Sequence, residues 1–483
     1  MQQPPARKKE LYVGKGAGVK TEYTKKLAQY AASLSFEDLP EDVVIQAKRI
    51  AMHTAGVALA ASSTTIGGKA LAYGRSLAAS AREASVIGCG EKLSVGAAAL
   101  VNGALTDCLD WEDCSWTGHP SACAVPTAYA VAEHLGASGR EFLLALVTAY
   151  EVYERIAMSV QPGDNFGWLS KGWGLTSWSI YASAIAAGKL LRLDAGRMEN
   201  LIGIAGALTP AINATTHLSR SDFYHYQWGL NNYSGIAGAM LARSGISPMP
   251  GYLDGDTGYW VTMTDECKWD WLDRDLGGRY LIMETLFKHW PTNMWIQQAL
   301  DGTAELVRKY RVLPGDVTEV VVNPVVENRM IAMPEGYPSM VDAQFSIPYC
   351  VSVLIHDPDA GPQWYEESRR RDRSVVDLSL RVRAEGPTLY LKEAFERFQR
   401  GEYPEYSVSI LLKDGRRLFQ AVPLPKGHPR NMFSQDEFEA DFMRRAVPAL
   451  PEGRARSAVD MIMNVDTAPD IRELMRTLSG ADR

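Results

Sequence analysis

The feature that most constrains this chain is a series of Ala-rich segments with helical periodicity, which gives way to a different texture near residue 275. Apolar positions recurring at three- and four-residue spacing mark one face of an α-helix. The stretches Val43–Ala61, Gly68–Ala79, Ser94–Asp113, Ala122–Leu135, Gly139–Val160, Trp178–Leu191, Met198–Leu208 and Ser234–Ser244 carry that pattern. Ser35, followed by Asp38, Pro40 and Asp42, supplies a start signal for the first of them. Small residues dominate the faces, as at Ala97–Ala99 and at Ala182, Ala184, Ala186 and Ala187. Small side chains let helices approach closely, so a compact helical body is expected.

Beyond residue 275, Val317–Val322 and Val375–Val382 are rich in β-branched residues and read as strands. Tyr406–Leu412 and Leu418–Val422 flank Asp414-Gly415, the turn signal of a two-strand hairpin. After the loop Pro423–Asn431, Ser434 and Glu437 form a capping box, and the tail is helical again. The expected architecture is mainly α. It has a helical domain over 24–274, a smaller α/β domain over 275–425, and C-terminal helices over 432–480 that return to the first domain. The run Arg369–Arg373 reads as solvated surface.

Composition removes whole classes of function. Lys plus Arg number 50 against 57 Asp plus Glu, a net charge of −7, which argues against a nucleic-acid partner. The six cysteines lack CxxC or His-paired spacing, so neither a zinc site nor a disulfide framework is expected. Scattered cysteines fit buried thiols in a reducing compartment. Met1–Tyr23 is polar and basic without an apolar secretion core, and no stretch reaches the roughly 18 apolar residues of a membrane span. A soluble, cytoplasmic protein with no membrane partner is expected.

The chemistry concentrates in Asp107-Cys108-Leu109-Asp110-Trp111-Glu112-Asp113, followed by His119-Pro120. Carboxylates this close oppose one another's ionisation if buried together. At helical spacing Asp107 and Asp110 share a face, as do Asp110 and Asp113. One reading is a helix end running into solvent. The apolar stretch Ala97–Leu105 just before it favours another, a core helix whose acidic end does acid–base or ligand work. Paired carboxylates on helices can also hold Mg²⁺, but a second acidic helix of like density is missing, so no metal is expected.

The ordered set Asn102-Gly103-Ala104-Leu105, Leu109–Asp113 and His119-Pro120 resembles the MmgE/PrpD family. So do Ala149-Tyr150-Glu151-Val152, Ala186–Leu191, Phe287-Lys288-His289-Trp290-Pro291, Phe345-Ser346-Ile347-Pro348-Tyr349 and Pro425–Pro429. The resemblance spans about residues 24–475. It implies a helical domain with a smaller α/β lid, a site between them, a homodimer, and cofactor-independent chemistry on small di- and tricarboxylates. Asp110 and His119 match the family's aspartate-rich motif, Lys288 its lysine, and Tyr349 its lid tyrosine. Cys114 stands where a Thr is common, and Gly172-Trp173-Gly174-Leu175-Thr176 lacks the histidine that many members carry. A family lysine falls near Tyr224-His225.

The implied activity is a lyase of the 2-methylcitrate dehydratase type, abstracting an α-proton and eliminating water or CO₂. His119 would be acid or base, Asp110 its orienting partner, Lys288 the carboxylate anchor and Tyr349 a proton donor. His225 or Tyr224 would replace a missing group, or the substrate and reaction differ from those of the well-known members; Cys114, Trp173, Tyr224 and His289 would contact substrate. An epimerase tolerates a thinner set of acids, and a silent binding homologue is the rival from another class. The Trp-rich Gly167–Trp178 segment, with Trp168, Trp173 and Trp178, fits a less carboxylated substrate or plain core.

Overall fold

The computed structural model describes residues 22–115, 117–160, 171–209, 221–255 and 258–480, so Trp168 and most of Met1–Tyr23 lie outside the described residues. The protein is mainly α. Among the described residues no helix is long and apolar enough to cross a membrane.

Long helices at Glu41–Ala61, Val95–Asp107, Ser121–Leu135, Gly139–Val160, Ile180–Leu190 and Phe223–Arg243 pack around one another. Their small residues act as the periodicity predicts. Gly229 lies so close to the Val95–Asp107 helix that an added Cβ would sit 2.2 Å from the Leu100 carbonyl oxygen. Asn232 crosses the same junction, its Nδ2 donating to the carbonyls of Ala99 and Ala122 at 3.1 and 3.0 Å. Together these contacts hold the Phe223–Arg243 helix tightly against the helix that carries Asp107.

A four-stranded sheet follows, in the order Arg417–Val422, Tyr406–Leu412, Val317–Asn323, Val382–Ala384. The hairpin turns at Gly415, whose φ of +88 a glycine adopts freely. Val375–Val382 departs from its strand expectation. Arg373–Ser379 is helical behind an Asp372 N-cap, and only Val382–Ala384 joins the sheet. Tertiary burial of Val375 and Val376 has overridden β-branched propensity here. Arg370 likewise departs from the solvated-surface reading: it is buried and donates to the carbonyls of Tyr337, Pro338 and Tyr365.

Helix Gln435–Ala446 begins at the Ser434–Glu437 capping box and packs on Glu41–Ala61, as does Glu452–Met463. Arg472–Ser479 reaches the Ser121–Leu135 helix. Helices from both chain ends therefore share one core with the Ala-rich segments.

Candidate active site

The Val95–Asp107 helix stops six residues earlier than periodicity suggests. Asp110 takes a φ of +49, a left-handed conformation that Asp tolerates better than most residues. The chain then enters a short strand, Asp113–Cys114, antiparallel to Leu286–Phe287 with Asp113 opposite Phe287. This pairing, not helical spacing, sets where the acids point. It brings Glu112 to Lys288, whose Nζ donates to Glu112 Oε1 at 2.7 Å and also to Asp110 Oδ1.

All of these groups are cut off from water; Lys288, Asp107, Asp110 and Glu112 are 0% exposed and His119 only 5%. Burial alone would push the Glu112 carboxyl up, but Lys288 and His119 outweigh it and hold Glu112 at about 2. His119 Nδ1 donates directly to Glu112 Oε1. Burial and the Lys288 ammonium both push His119 down, yet the charge and hydrogen bond of Glu112 prevail and raise it above the usual histidine range. The protonated form of His119 is thus favoured, its ring lies 5.0 Å from Trp228, and among the described residues its Nε2 makes no hydrogen bond. Asp113 stands apart, accepting from Tyr150 Oη at 2.6 Å and the Ser121 amide at 3.2 Å.

Asp107 joins two imidazoles. Its Oδ2 lies 2.8 Å from His225 Nδ1 and its Oδ1 lies 3.5 Å from His119 Nδ1. Gln344 orients the pair: its Nε2 donates to the Cys108 carbonyl at 2.9 Å, which turns Oε1 toward His225 Nε2 at 3.2 Å. His225 Nε2 must therefore carry a proton. Burial, then the charge of Glu112, pushes Asp107 well above the carboxylate range, while burial holds His225 below the histidine range. A single proton is shared along the hydrogen bond between Asp107 Oδ2 and His225 Nδ1.

Asp107, Glu112 and His119 offer ligand atoms within 4.8 Å of one another, a spacing that a metal ion can bridge. A protonated Nδ1 has no lone pair to give, and Lys288 already supplies the positive charge between the carboxylates. The set reads as proton-transfer machinery.

The structure sorts the residues expected from sequence. His119, Asp110, Lys288 and His225 converge, with Cys114 buried beside Lys288. Tyr224 packs edge-on to His225 at 5.2 Å. One role changes hands: the partner that orients His119 is Glu112, whereas Asp110 binds Lys288. Lys288 has both carboxylates as partners, which differs from its expected place on substrate. Tyr349 is not brought to the cluster; its hydroxyl donates to the Trp364 carbonyl and its ring packs on Tyr337 and Tyr365. His289 points the other way from Lys288, as neighbours on extended backbone do, and pairs with Asp301 at 2.8 Å along a surface groove of about 1330 Å³. Trp173 donates its indole N–H to the Thr262 carbonyl at 2.6 Å, away from the acids.

Roles for Asp107, Glu112 and Gln344 escape a reading by spacing. The acids were visible as a group, and Gln344 directly precedes the Phe345–Tyr349 motif, a position that draws attention to it.

The MmgE/PrpD N-terminal domain matches residues 25–272, and the MmgE/PrpD C-terminal domain matches residues 290–467. A cis-aconitate decarboxylase of Aspergillus terreus is 24% identical over 489 residues, covering 96% of this chain and 97% of the relative. The human cis-aconitate decarboxylase is 24% identical over 486 residues, covering 95% and 94%. The cis-aconitate decarboxylase-like protein oryM of Aspergillus oryzae is 22% identical over 501 residues, covering 95% and 97%.

Proposed function

Because the chain belongs to the MmgE/PrpD family, we propose that it is a cofactor-independent lyase that eliminates CO₂ or water from a small carboxylate. One observation carries the reading: His119 Nδ1 is bound to the buried Glu112, which favours the protonated ring, and among the described residues Nε2 makes no hydrogen bond. A group that begins protonated is set up to give a proton. When a carboxylate leaves as CO₂, the electron pair of the broken C–C bond needs a proton at carbon, and His119 Nε2 is the donor. Glu112, bound at Nδ1, then stabilises the ring while Nε2 takes a proton back. Dehydration uses the same group in the opposite sense, with neutral His119 taking an α-proton first. The names of the relatives support decarboxylation. A cytoplasmic homodimer belongs to the same proposal through the family resemblance.

A second reading, epimerisation, draws support from the two imidazoles that Asp107 links, since that reaction needs two proton carriers. The discriminating assay incubates the protein with cis-aconitate and other small polycarboxylates in D₂O. Release of CO₂ with one deuterium incorporated supports decarboxylation; deuterium wash-in without net turnover supports the epimerase. His119→Gln is expected to lower kcat roughly 100- to 10,000-fold. Undiminished turnover in that variant sinks the assignment of His119, and silence with every carboxylate sinks the enzyme reading.

A further inference from the structure

The cluster around Lys288 balances its own charge. Asp110 and Glu112 face Lys288 and His119, His225 is neutral, and His289 is tied to Asp301 outside the cluster. None of these groups has positive charge to spare for an anionic substrate, and the chain as a whole is acidic. A buried cation without an acidic partner would supply what is missing.

Arg329 is such a cation. It is 9% exposed and, among the described residues, forms no ion pair. Of the five N–H donors of a guanidinium, one on Nε reaches Asn293 Oδ1 at 2.9 Å and one on Nη1 reaches the Asn328 carbonyl at 3.1 Å. Among the described residues Nη2 makes no hydrogen bond. Other buried arginines have more carbonyl or acidic partners: Arg155 meets three backbone carbonyls, Arg370 meets three, and Arg445 is paired with Asp441. Unused N–H groups on a charged guanidinium offer charge-assisted hydrogen bonds to a carboxylate.

Its position ties it to the acid–base groups. The guanidinium lies 5.1 Å over the Phe345 ring, Phe345 meets Tyr224 edge-on at 5.6 Å, and Tyr224 meets His225 edge-on at 5.2 Å. Asn293, which holds Arg329 Nε, also donates its backbone N–H to the Gln344 carbonyl at 3.2 Å. The same Gln344 orients His225. Burial lowers Arg329 only to about 10, so it stays charged at neutral pH, with Asp110 its leading favourable neighbour.

We infer that Arg329 is the carboxylate-binding residue of this site, its unused Nη2 and Nη1 donors receiving a substrate carboxylate side by side. This rests on the small-carboxylate reading above. A planar guanidinium suits such two-point contact in a way that an ammonium does not.

The test measures binding by calorimetry and turnover with cis-aconitate, and binding of citrate, succinate and the monocarboxylate crotonate, for wild type, Arg329→Gln and Arg329→Lys. Ligand-free thermal unfolding of each variant confirms folding. The expected result is a KM and Kd for cis-aconitate raised at least about tenfold in R329Q, the loss falling mainly on KM, with R329K recovering only part of it. Polycarboxylates should lose more affinity than crotonate. Wild-type turnover with KM unchanged in R329Q overturns the inference and leaves the lyase standing. Arg329-dependent binding without turnover keeps the inference and removes the lyase. Wild type that neither binds nor converts any of these acids overturns both.

Discussion

Lys288 carries the electrostatics of the site at the scale of a single residue. Its ammonium touches Asp110 and Glu112 with no access to water, and through Glu112 it also governs His119. Replacing it with Met leaves two buried carboxylates uncompensated, a loss of about 3–5 kcal/mol. K288M should therefore unfold at markedly lower denaturant concentration, and adding Asp110→Asn should restore part of the stability. A K288M protein as stable as wild type would contradict the pairing. Asp110 and His119 were legible as candidates from the dense acidic segment beside His-Pro, whereas Lys288 and His225 were reached through the resemblance to the family's motifs. Their pairings were not legible. Glu112 rather than Asp110 meets His119 because the helix ends at Asp107 and a strand begins, and spacing along a helix carries no information past its end.

At the scale of elements, the crossing of Val95–Asp107 with Phe223–Arg243 places Asp107 against His225. Gly229 sits one turn beyond His225 on the same face and permits the contact. Gly229→Ala is expected to cost about 1–3 kcal/mol and to lower activity beyond its effect on the folded fraction, since the helix must shift to relieve the clash. Gly453, in helix Glu452–Met463 with nothing within 4 Å of an added Cβ, is the control: Gly453→Ala should be neutral or stabilising. Denaturant titrations of both variants check the contrast; equal effects would mean the crossing is not tight. Periodicity exposed these helices because burial of one face leaves a trace every turn. It misread Val375–Val382, where the local preference for strand gave way to packing.

For the whole molecule, acid stability is the readable consequence of burial. His53 lies in the core, donating from Nε2 to the Trp111 carbonyl at 2.9 Å and accepting at Nδ1 from Arg445 at 3.1 Å. Burial, then Arg445, holds it down at about 3, against 6.5 for an ordinary histidine. Between those values the unfolded chain binds the extra proton, so this group makes stability fall as pH drops below about 6.5, by up to about 1.4 kcal/mol per pH unit. His53→Gln keeps one donor and one acceptor without titrating, and its stability should decline less steeply from pH 6 to 4; parallel slopes would disprove the role. The amino-acid sequence by itself determined the helical body, the helices at the C-terminal end, the hairpin at Asp414-Gly415 and the dense acidic segment Asp107–Asp113. These follow from local rules of periodicity, capping and turn geometry that any stretch carries within itself. Only the tertiary structure decided which acid orients His119, that Asp107 joins two histidines, that Tyr349 serves the core, and that Arg329 is left without an acidic partner. Those outcomes depend on which groups tertiary packing brings together, some of them more than a hundred residues apart, as with Asp107 and His225 or Glu112 and Lys288. They meet in a space without water, where each charge takes its value from whatever stands beside it.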